Sequence, residues 1–363
     1  VRQTAEAFGR LGLVPGDETL ALMLENGPEW VETYLAAAGS GVAVVPIDPK
    51  LRSEEVLHIL RDSGAVLVVT DLRHREQLEA MLGELPALRL LVFVGGGAPA
   101  SVAGRASFDY EALRASVGEG PCPWYASHAP APHAIASVIY TSGTTGKPKG
   151  AMLSHINFCS DVMGALDAIG TDMVTSDDDF LVVLPLFHSF SFAADLVLPL
   201  AKASGMMFVE SLRTMAEDLR TLRPTILMAV PLMVEKLSAK MESKLQASRV
   251  ARALLRLGLR RLVGRLARAG LGGRLRFVVV GGAPCPLQVI KGLDRLGLTV
   301  VEGYGLTECS PIVTINSISA PRFGTIGRKL PNIEVRLAEP DEQGVGEMQV
   351  RGPIVMKGYY RDL

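Results

Sequence analysis

The first part of the chain alternates short apolar runs with amphipathic segments. From Glu18 to Val94, four runs rich in Leu and Val (ETLALMLE, GVAVVPI, AVLVVT and LRLLVFV) are separated by helical patterns such as GPEWVETYLAAAG and RSEEVLHILRDSG. Continuous apolar strands of this kind are buried on both faces, as in parallel sheets that are covered by helices. The pattern therefore predicts an α/β fold with a parallel-rich sheet.

The alternation stops between residues 118 and 133 and then resumes. The segment GEGPCPWYASHAPAPH is rich in Pro, Gly and Ala and has no hydrophobic period, so we predict a first α/β lobe over residues 1–133. The runs IASVIYT, DFLVVLP, GMMFV, TILMAV and LRFVVVGG predict a second α/β lobe over residues 134–320. Short strands and turns follow (IEVRLAE, GEMQVRG), which predicts a partial β subdomain over residues 321–363.

Composition adds little about partners. The 37 Lys and Arg residues and the 38 Asp and Glu residues leave a net charge of −1, which gives no electrostatic argument for nucleic acid binding. The longest apolar stretch, residues 180–209, is interrupted by His188, Asp195 and Lys202, so we predict no transmembrane anchor. We expect a cytoplasmic chain with reduced thiols, no disulfide and no zinc, because four cysteines are scattered without metal-ligand spacing: Cys122, Cys159, Cys285 and Cys309.

The most informative motif is YTSGTTGKPKG, residues 140–150, which follows a predicted strand. Its glycines allow the backbone to approach an anion, its hydroxyl groups can donate to phosphate oxygens, and Lys149 supplies positive charge. It is not a Walker A loop, because two residues rather than four separate Gly143 from Gly146 and Pro148 follows Lys147. The motif predicts a phosphate-binding loop, with a polar hairpin as the alternative.

Four further motifs follow along the chain: LPLFH at 184–188, GGAP at 281–284, GYGLTE at 303–308, and a segment from Gly346 through RGP to Gly358 and Tyr359. With the phosphate loop, and in this order, they resemble the ANL superfamily of adenylate-forming enzymes. That superfamily contains acyl-CoA synthetases, adenylation domains of peptide synthetases and luciferases. The resemblance covers essentially the whole chain.

The resemblance implies a fold of two stacked α/β lobes with parallel-rich sheets plus the start of a small distorted β-barrel. It also implies that both ends are cut from a longer protein, and that a C-terminal domain with a catalytic lysine lies beyond Leu363. We therefore expect the 363-residue polypeptide to bind nucleotide but to adenylate poorly.

The resemblance also implies roles for residues of this sequence. Thr141 and Glu308 would hold Mg²⁺ at the phosphates of ATP, Tyr304 would lie against the adenine, and Thr307 would lie near the α-phosphate. The catalytic residues would be Thr141, Lys149, His188 and Glu308. The nucleotide-binding residues would be Ser142, Gly143, Thr144, Thr145, Gly146, Gly282, Ala283, Pro284, Glu302, Gly303, Tyr304, Gly305 and Thr307.

Two features favour a fatty acid as the substrate, with ATP and CoA as co-substrates. Family members that activate amino acids carry an Asp in the region where this chain reads PLFHSFSF, which has none. Members that act on long acyl chains carry a helical insertion before a GGRLRF-like strand, and this chain has GGRLRF at 272–277. The alternative for His188, which is compatible with a role in the site, is that it caps the following helix or is satisfied in the core. Three alternatives stay open: a fatty-acyl-AMP ligase or acyl-ACP synthetase, an aryl-acid CoA ligase, and a noncatalytic nucleotide- or acyl-binding fragment.

The predicted insertion is basic. No acidic residue occurs between Ser243 and Leu293, and arginines recur at helical spacing from Arg249 beside leucines. An amphipathic helix over Arg249 to Arg268 would suit the anionic inner face of a membrane or an acyl carrier protein, whereas a solvated face is the simpler interpretation.

Overall fold

The computed structural model describes residues 1–141, 147–209, 211, 213–250, 253, 257 and 260–361. It consists of two compact units, one formed by Val1–Asn157 together with Met356–Leu363 and the other by Phe158–Val355. The limit between these units does not coincide with the lobe boundary expected at residue 133. The predicted division into lobes stays a prediction.

The first unit is built on an eight-stranded sheet with the strand order β5-β6-β4-β3-β1-β2-β7-β8. Neighbouring strands are parallel except for the pairs β5–β6 and β7–β8, which are antiparallel. The strands are β1 (Thr19–Met23), β2 (Ala43–Pro46), β3 (Leu67–Asp71), β4 (Leu90–Val94), β5 (Ser101–Val102), β6 (Arg105–Asp109), β7 (Ile135–Thr141) and β8 (Lys149–Ser154). The α-helices are α1 (Arg2–Arg10), α2 (Pro28–Ala38), α3 (Ser53–Ser63), α4 (Arg75–Met81), α5 (Tyr110–Ala115) and α6 (Pro123–Ser127).

Local sequence explains these elements. All five residues of β1 are buried, as a strand covered on both faces requires. Helix α2 begins with Pro28, whose fixed φ suits the first turn. Gly64 caps the C-terminal end of helix α3, because it adopts a φ of 65° and donates its N–H to the Leu60 carbonyl. The four apolar runs predicted as strands before residue 95 all form strands of this sheet.

The second unit contains a seven-stranded sheet with the order β10-β9-β11-β12-β13-β14-β15. Strands β9 to β13 are parallel, and β14 and β15 add antiparallel pairs at one edge. The strands are β9 (Asp179–Val182), β10 (Gly205–Phe208), β11 (Ile226–Ala229), β12 (Phe277–Val280), β13 (Thr299–Gly305), β14 (Ile312–Ile315), β15 (Arg328–Lys329), β16 (Glu334–Ala338) and β17 (Glu347–Arg351). The remaining α-helices are α7 (His155–Ile169), which begins in the first unit, α8 (Ser189–Ser191), α9 (Leu198–Lys202), α10 (Met215–Leu222), α11 (Pro231–Ala247), α12 (Arg260–Ala269) and α13 (Leu287–Arg295).

Strands β16 and β17 form a separate two-stranded antiparallel sheet. They coincide with the runs IEVRLAE and GEMQVRG, and no strand pairing closes a barrel in the described part of the chain. The predicted α/β class with two parallel-rich sheets is confirmed.

The basic insertion is described only in part. Arg252 and Arg256 lie outside the described residues. Helix α12 follows them and leaves Leu262 and Leu266 exposed, at 42% and 47% of their surface. Among the described residues, no helix is long and apolar enough to cross a membrane. The contact with a membrane or a carrier protein stays a prediction.

Candidate active site

The predicted phosphate loop connects two antiparallel strands of the first unit. Thr141 is the last residue of β7 and pairs directly with Lys149, the first residue of β8. Both predicted catalytic residues of this unit are therefore cross-strand neighbours at the base of the loop. Five predicted phosphate-binding residues lie outside the described residues, and their role stays a prediction: Ser142, Gly143, Thr144, Thr145 and Gly146.

Close packing holds the base of this loop. The His58 Nε2 atom lies 2.9 Å from the Pro148 carbonyl oxygen, within hydrogen-bond distance. The Tyr140 hydroxyl donates to Asp62 at 2.5 Å, and burial followed by this carboxylate raises the pKa of the Tyr140 phenol far above its usual range. Gly150 is necessary here, because an added Cβ would lie 2.6 Å from a methyl group of Val138.

The Lys149 ammonium lies over the ring of Tyr359, 5.4 Å from its centroid, in a cation–π contact. The segment that carries Tyr359 runs along β8: Met152 donates its N–H to the Gly358 carbonyl at 3.0 Å, and Tyr360 donates to the Gly150 carbonyl at 2.7 Å. Sequence reasoning did not pair Tyr359 with Lys149, because more than 200 positions separate them and no local pattern links them.

In the second unit, the GGAP motif forms the turn that follows β12. Gly281 donates its N–H to the Ala229 carbonyl at 3.2 Å, and Gly282 has a φ of 81°, which favours glycine. An added Cβ on Gly281 would lie 3.2 Å from the ring of Phe190, so the backbone approaches that ring closely. Three residues of the turn are exposed: Gly282, Ala283 and Pro284.

The GYGLTE motif begins inside the sheet and ends in a turn. Gly303, Tyr304 and Gly305 pair with Ile315, Thr314 and Ile312 of the antiparallel strand β14. The Tyr304 side chain is 41% exposed. A 3₁₀ turn over Thr307–Cys309 follows, so Thr307 and Glu308 lie just after the end of β13.

A hydrogen bond joins two motifs that lie far apart in the sequence. The Ser189 and Thr307 hydroxyl oxygens are 2.9 Å apart, which links the residue after LPLFH to the threonine of GYGLTE. His188 precedes Ser189, donates its backbone N–H to the Pro185 carbonyl at 3.1 Å, and has an exposed side chain. The structure thus brings the His188 segment next to Thr307 through Ser189, a contact that sequence reasoning missed.

Two predicted site residues, one in each compact unit, have a buried side-chain oxygen that a bound group could satisfy. Thr141 Oγ1 and Glu302 Oε2 are both buried and have no hydrogen-bond partner among the described residues. A buried oxygen without a partner is costly, and a bound cation or donor group would satisfy it. The described ranges contain no cluster of three His, Cys, Asp or Glu residues suited to a metal.

The fold and the motifs define an α/β chain of the nucleotide-using type, and comparison with known proteins gives its family. The sequence model of one protein family, described as AMP-binding enzyme, matches residues 1–360. The chain belongs to the AMP-binding enzyme family, which confirms the resemblance drawn from the motifs.

Individual relatives agree with this assignment. The chain is 29% identical to long-chain-fatty-acid–CoA ligase 6 of Mus musculus, over 95% of this chain and 54% of that protein. It is 30% identical to long-chain-fatty-acid–CoA ligase FadD15 of Mycobacterium bovis, over 100% of this chain and 62% of that protein. The chain thus spans little more than half the length of these curated relatives.

Solved structures support the fold. ATP-bound MatB from Rhodopseudomonas palustris superposes with a TM-score of 0.76 at 26% identity, over 99% of this chain and 65% of that one. A long-chain-fatty-acid-CoA ligase, FadD1 from Archaeoglobus fulgidus, superposes with a TM-score of 0.77 over 99% of this chain and 68% of that one. Because its identity is 23%, it supports the fold alone.

Proposed function

We propose that this chain is the nucleotide- and acid-binding part of an AMP-forming ligase that activates a fatty acid. A carboxylate oxygen of the acid attacks the α-phosphorus of ATP, the bond from that phosphorus to the bridging oxygen breaks, and pyrophosphate leaves. The sulfur of CoA then attacks the acyl carbon of the acyl-AMP, and AMP leaves. No general base is required for the first step, because a carboxylic acid is ionised at pH 7.

The roles assigned to the residues follow from this chemistry. Lys149 offsets negative charge on the phosphates, and the loop residues 142–146 donate to phosphate oxygens. Bound Mg²⁺, held by the Thr141 hydroxyl and the Glu308 carboxylate, would neutralise charge on the leaving pyrophosphate. Thr141 and Glu308 belong to different compact units, so this assignment rests on their motifs rather than on a distance.

In the second unit, Tyr304 and the GGAP turn contact the adenine, and Thr307 contacts the α-phosphate. The exposed Tyr304 ring and the exposed turn are compatible with these contacts. The Ser189–Thr307 hydrogen bond supports a role for the His188 segment beside the reacting carboxylate. Electrostatic stabilisation and positioning then supply the catalysis.

The family match over residues 1–360 carries the proposal, and the names of the relatives supply the substrate class. Their CoA ligase names favour CoA over a carrier protein as the acyl acceptor. The structural neighbours include an anthranilate CoA ligase and a malonyl-CoA ligase complex, so aryl and short acids belong in any test.

We expect nonhydrolysable acyl-AMP analogues to stabilise the chain more strongly as the alkyl chain lengthens. Each buried methylene contributes about 0.8 kcal/mol to binding, so the thermal shift should rise from acetyl to hexadecanoyl. Thermal unfolding with acetyl, malonyl, aryl, octanoyl and hexadecanoyl analogues measures this trend. A maximum at the aryl or short analogues would refute the fatty-acid assignment, and no shift with any analogue would refute adenylate binding.

A further inference from the structure

Asp195 is a buried acid next to the His188 segment that the proposed chemistry does not use. It lies in a π-helical turn, Phe192–Val197, directly after α8, and its side chain is completely buried. Its Oδ1 atom has no hydrogen-bond partner among the described residues. An ionised carboxylate that is completely buried is expensive, because burial removes the solvation of its charge.

The short contacts around the Ser191 hydroxyl indicate the protonation state of Asp195. Asp195 Oδ2 lies 2.9 Å from the Ser191 hydroxyl oxygen, and the same hydroxyl oxygen lies 2.8 Å from the Leu184 carbonyl oxygen. The Ser191 hydroxyl proton can form a linear hydrogen bond to only one of these two oxygens, so two linear hydrogen bonds need a second proton. The hydroxyl provides one and a carbonyl provides none, so the second proton belongs to Asp195.

Several described elements that pack on the turn of Asp195 carry titratable residues. Helix α8 has no titratable residue, α9 has Lys202 and β9 has Asp179. Helix α7, whose Phe158 ring lies 4.6 Å from the Phe192 ring of the turn, has His155, Asp161 and Asp167, and Asp161 accepts the Ile312 N–H at 2.8 Å. Lys202 donates to the Thr171 carbonyl at 3.0 Å, and Asp179 pairs with Arg274 at 2.8 Å. Burial raises the pKa of the Asp195 carboxyl well above its usual range, against the opposing effect of the Ser191 hydrogen bond.

We propose that Asp195 is a neutral hydrogen-bond donor that positions the active-site segment Leu184–Ser191 through Ser191. The protonated carboxyl donates to the Ser191 hydroxyl, which donates to the Leu184 carbonyl and so joins the two ends of the segment. Between these ends lie His188 and Ser189, the residue bonded to Thr307. The link to catalysis rests on the proposed function, whereas the protonation state does not.

Infrared difference spectroscopy tests the protonation directly. At pH 7 the wild-type chain is expected to show a protonated-carboxyl C=O band that shifts in D₂O and is absent from Asp195→Asn. Asp177→Asn, which changes an exposed carboxylate, is expected to leave that band unchanged. Absence of a wild-type band that depends on Asp195 would overturn the proposal.

The pH dependence of stability is an independent test. In the unfolded chain Asp195 ionises near its ordinary pKa of about 3.9, whereas in the folded chain it ionises at a higher pH. The stability that its neutral form contributes is therefore fully present below about pH 3.9 and is lost as the pH rises through the folded pKa. The melting temperature of Asp195→Asn relative to wild type should increase from pH 4 to pH 8, and a constant difference would contradict the proposal.

A test of the positioning role requires a variant that has no hydrogen-bond donor at position 195. Asp195→Asn retains a donating N–H and should keep slow amide exchange in residues 185–191 and wild-type affinity for the hexadecanoyl-AMP analogue. Asp195→Leu should exchange faster there and bind the analogue about five- to tenfold more weakly. Ser191→Ala removes the hydroxyl between Asp195 and the Leu184 carbonyl with a smaller change in side-chain size. This variant replaces Asp195→Leu in the test if the leucine variant does not fold.

The outcomes separate the two proposals. If wild type fails to bind the analogue, the proposed function fails while the infrared result still decides the protonation state. If wild type binds and both Asp195→Leu and Ser191→Ala bind equally well, with unchanged amide exchange, Asp195 has no positioning role.

Discussion

Replacement of Gly305 with alanine is expected to lower the free energy of unfolding by about 3 kcal/mol or more. An added Cβ would lie 1.6 Å from the Pro311 carbonyl oxygen, far inside contact distance. The backbone cannot easily move away, because Gly305 pairs with Ile312 and the next residue, Leu306, donates its N–H to the same Pro311 oxygen at 2.9 Å. Denaturant unfolding of the purified variant measures the loss.

Gly303 provides a matched control in the same strand and the same motif. An added Cβ there would be 3.5 Å from its nearest neighbour, the Thr314 carbonyl oxygen, which is an ordinary contact. Gly303→Ala should therefore change the free energy of unfolding by about 1 kcal/mol or less. Equal stability of the two variants would show that the close approach at Gly305 does not constrain the fold.

Glu308→Gln is expected to weaken Mg²⁺-dependent binding of ATP by at least about tenfold. The substitution keeps the size of the side chain but removes the negative charge that a hard cation prefers. Calorimetric titration of ATP with Mg²⁺ and with a chelator measures the metal-dependent part of the affinity. The variant should bind ATP equally in both conditions, whereas wild type should bind more tightly with Mg²⁺.

The control for this substitution is Glu342→Gln, which removes an exposed carboxylate from the turn between β16 and β17. It should retain the wild-type dependence on Mg²⁺. An identical Mg²⁺ effect in wild type and Glu308→Gln would remove Glu308 from the metal site, and the assignment of Thr141 as its co-ligand would then lack support.

Much of the fold could be predicted because hydrophobic period is a local property. The run LRLLVFV contains β4, and the helical pattern around Val56 and Leu60 contains α3. The strand before the phosphate loop was also predictable, whereas the strand after it has a weak pattern in KGAMLS and is defined by its pairing with β7. Because β7 and β8 belong to the sheet of the first compact unit, that unit extends to Asn157, beyond the boundary expected at residue 133.

The sequence motifs indicated candidate site residues, but they did not indicate the tertiary contacts between them. The Ser189–Thr307 contact joins residues 118 positions apart, and nothing in either local sequence indicates it. Asp195 is a further example, because in the sequence it counts as a charge that interrupts an apolar stretch. In the fold it is completely buried beside Ser191. Protonation depends on tertiary surroundings, which a residue name does not reveal.

The most direct test of the central claim is a calorimetric comparison of three ligands on the purified chain: the hexadecanoyl-AMP analogue, AMP and hexadecanoate. If the chain is the adenylate-binding part of a fatty-acid ligase, the joined ligand gains affinity from both halves and should bind at least about a hundredfold more tightly than either part. Binding of the analogue no tighter than that of hexadecanoate alone would contradict the claim, since the adenylate would then contribute nothing.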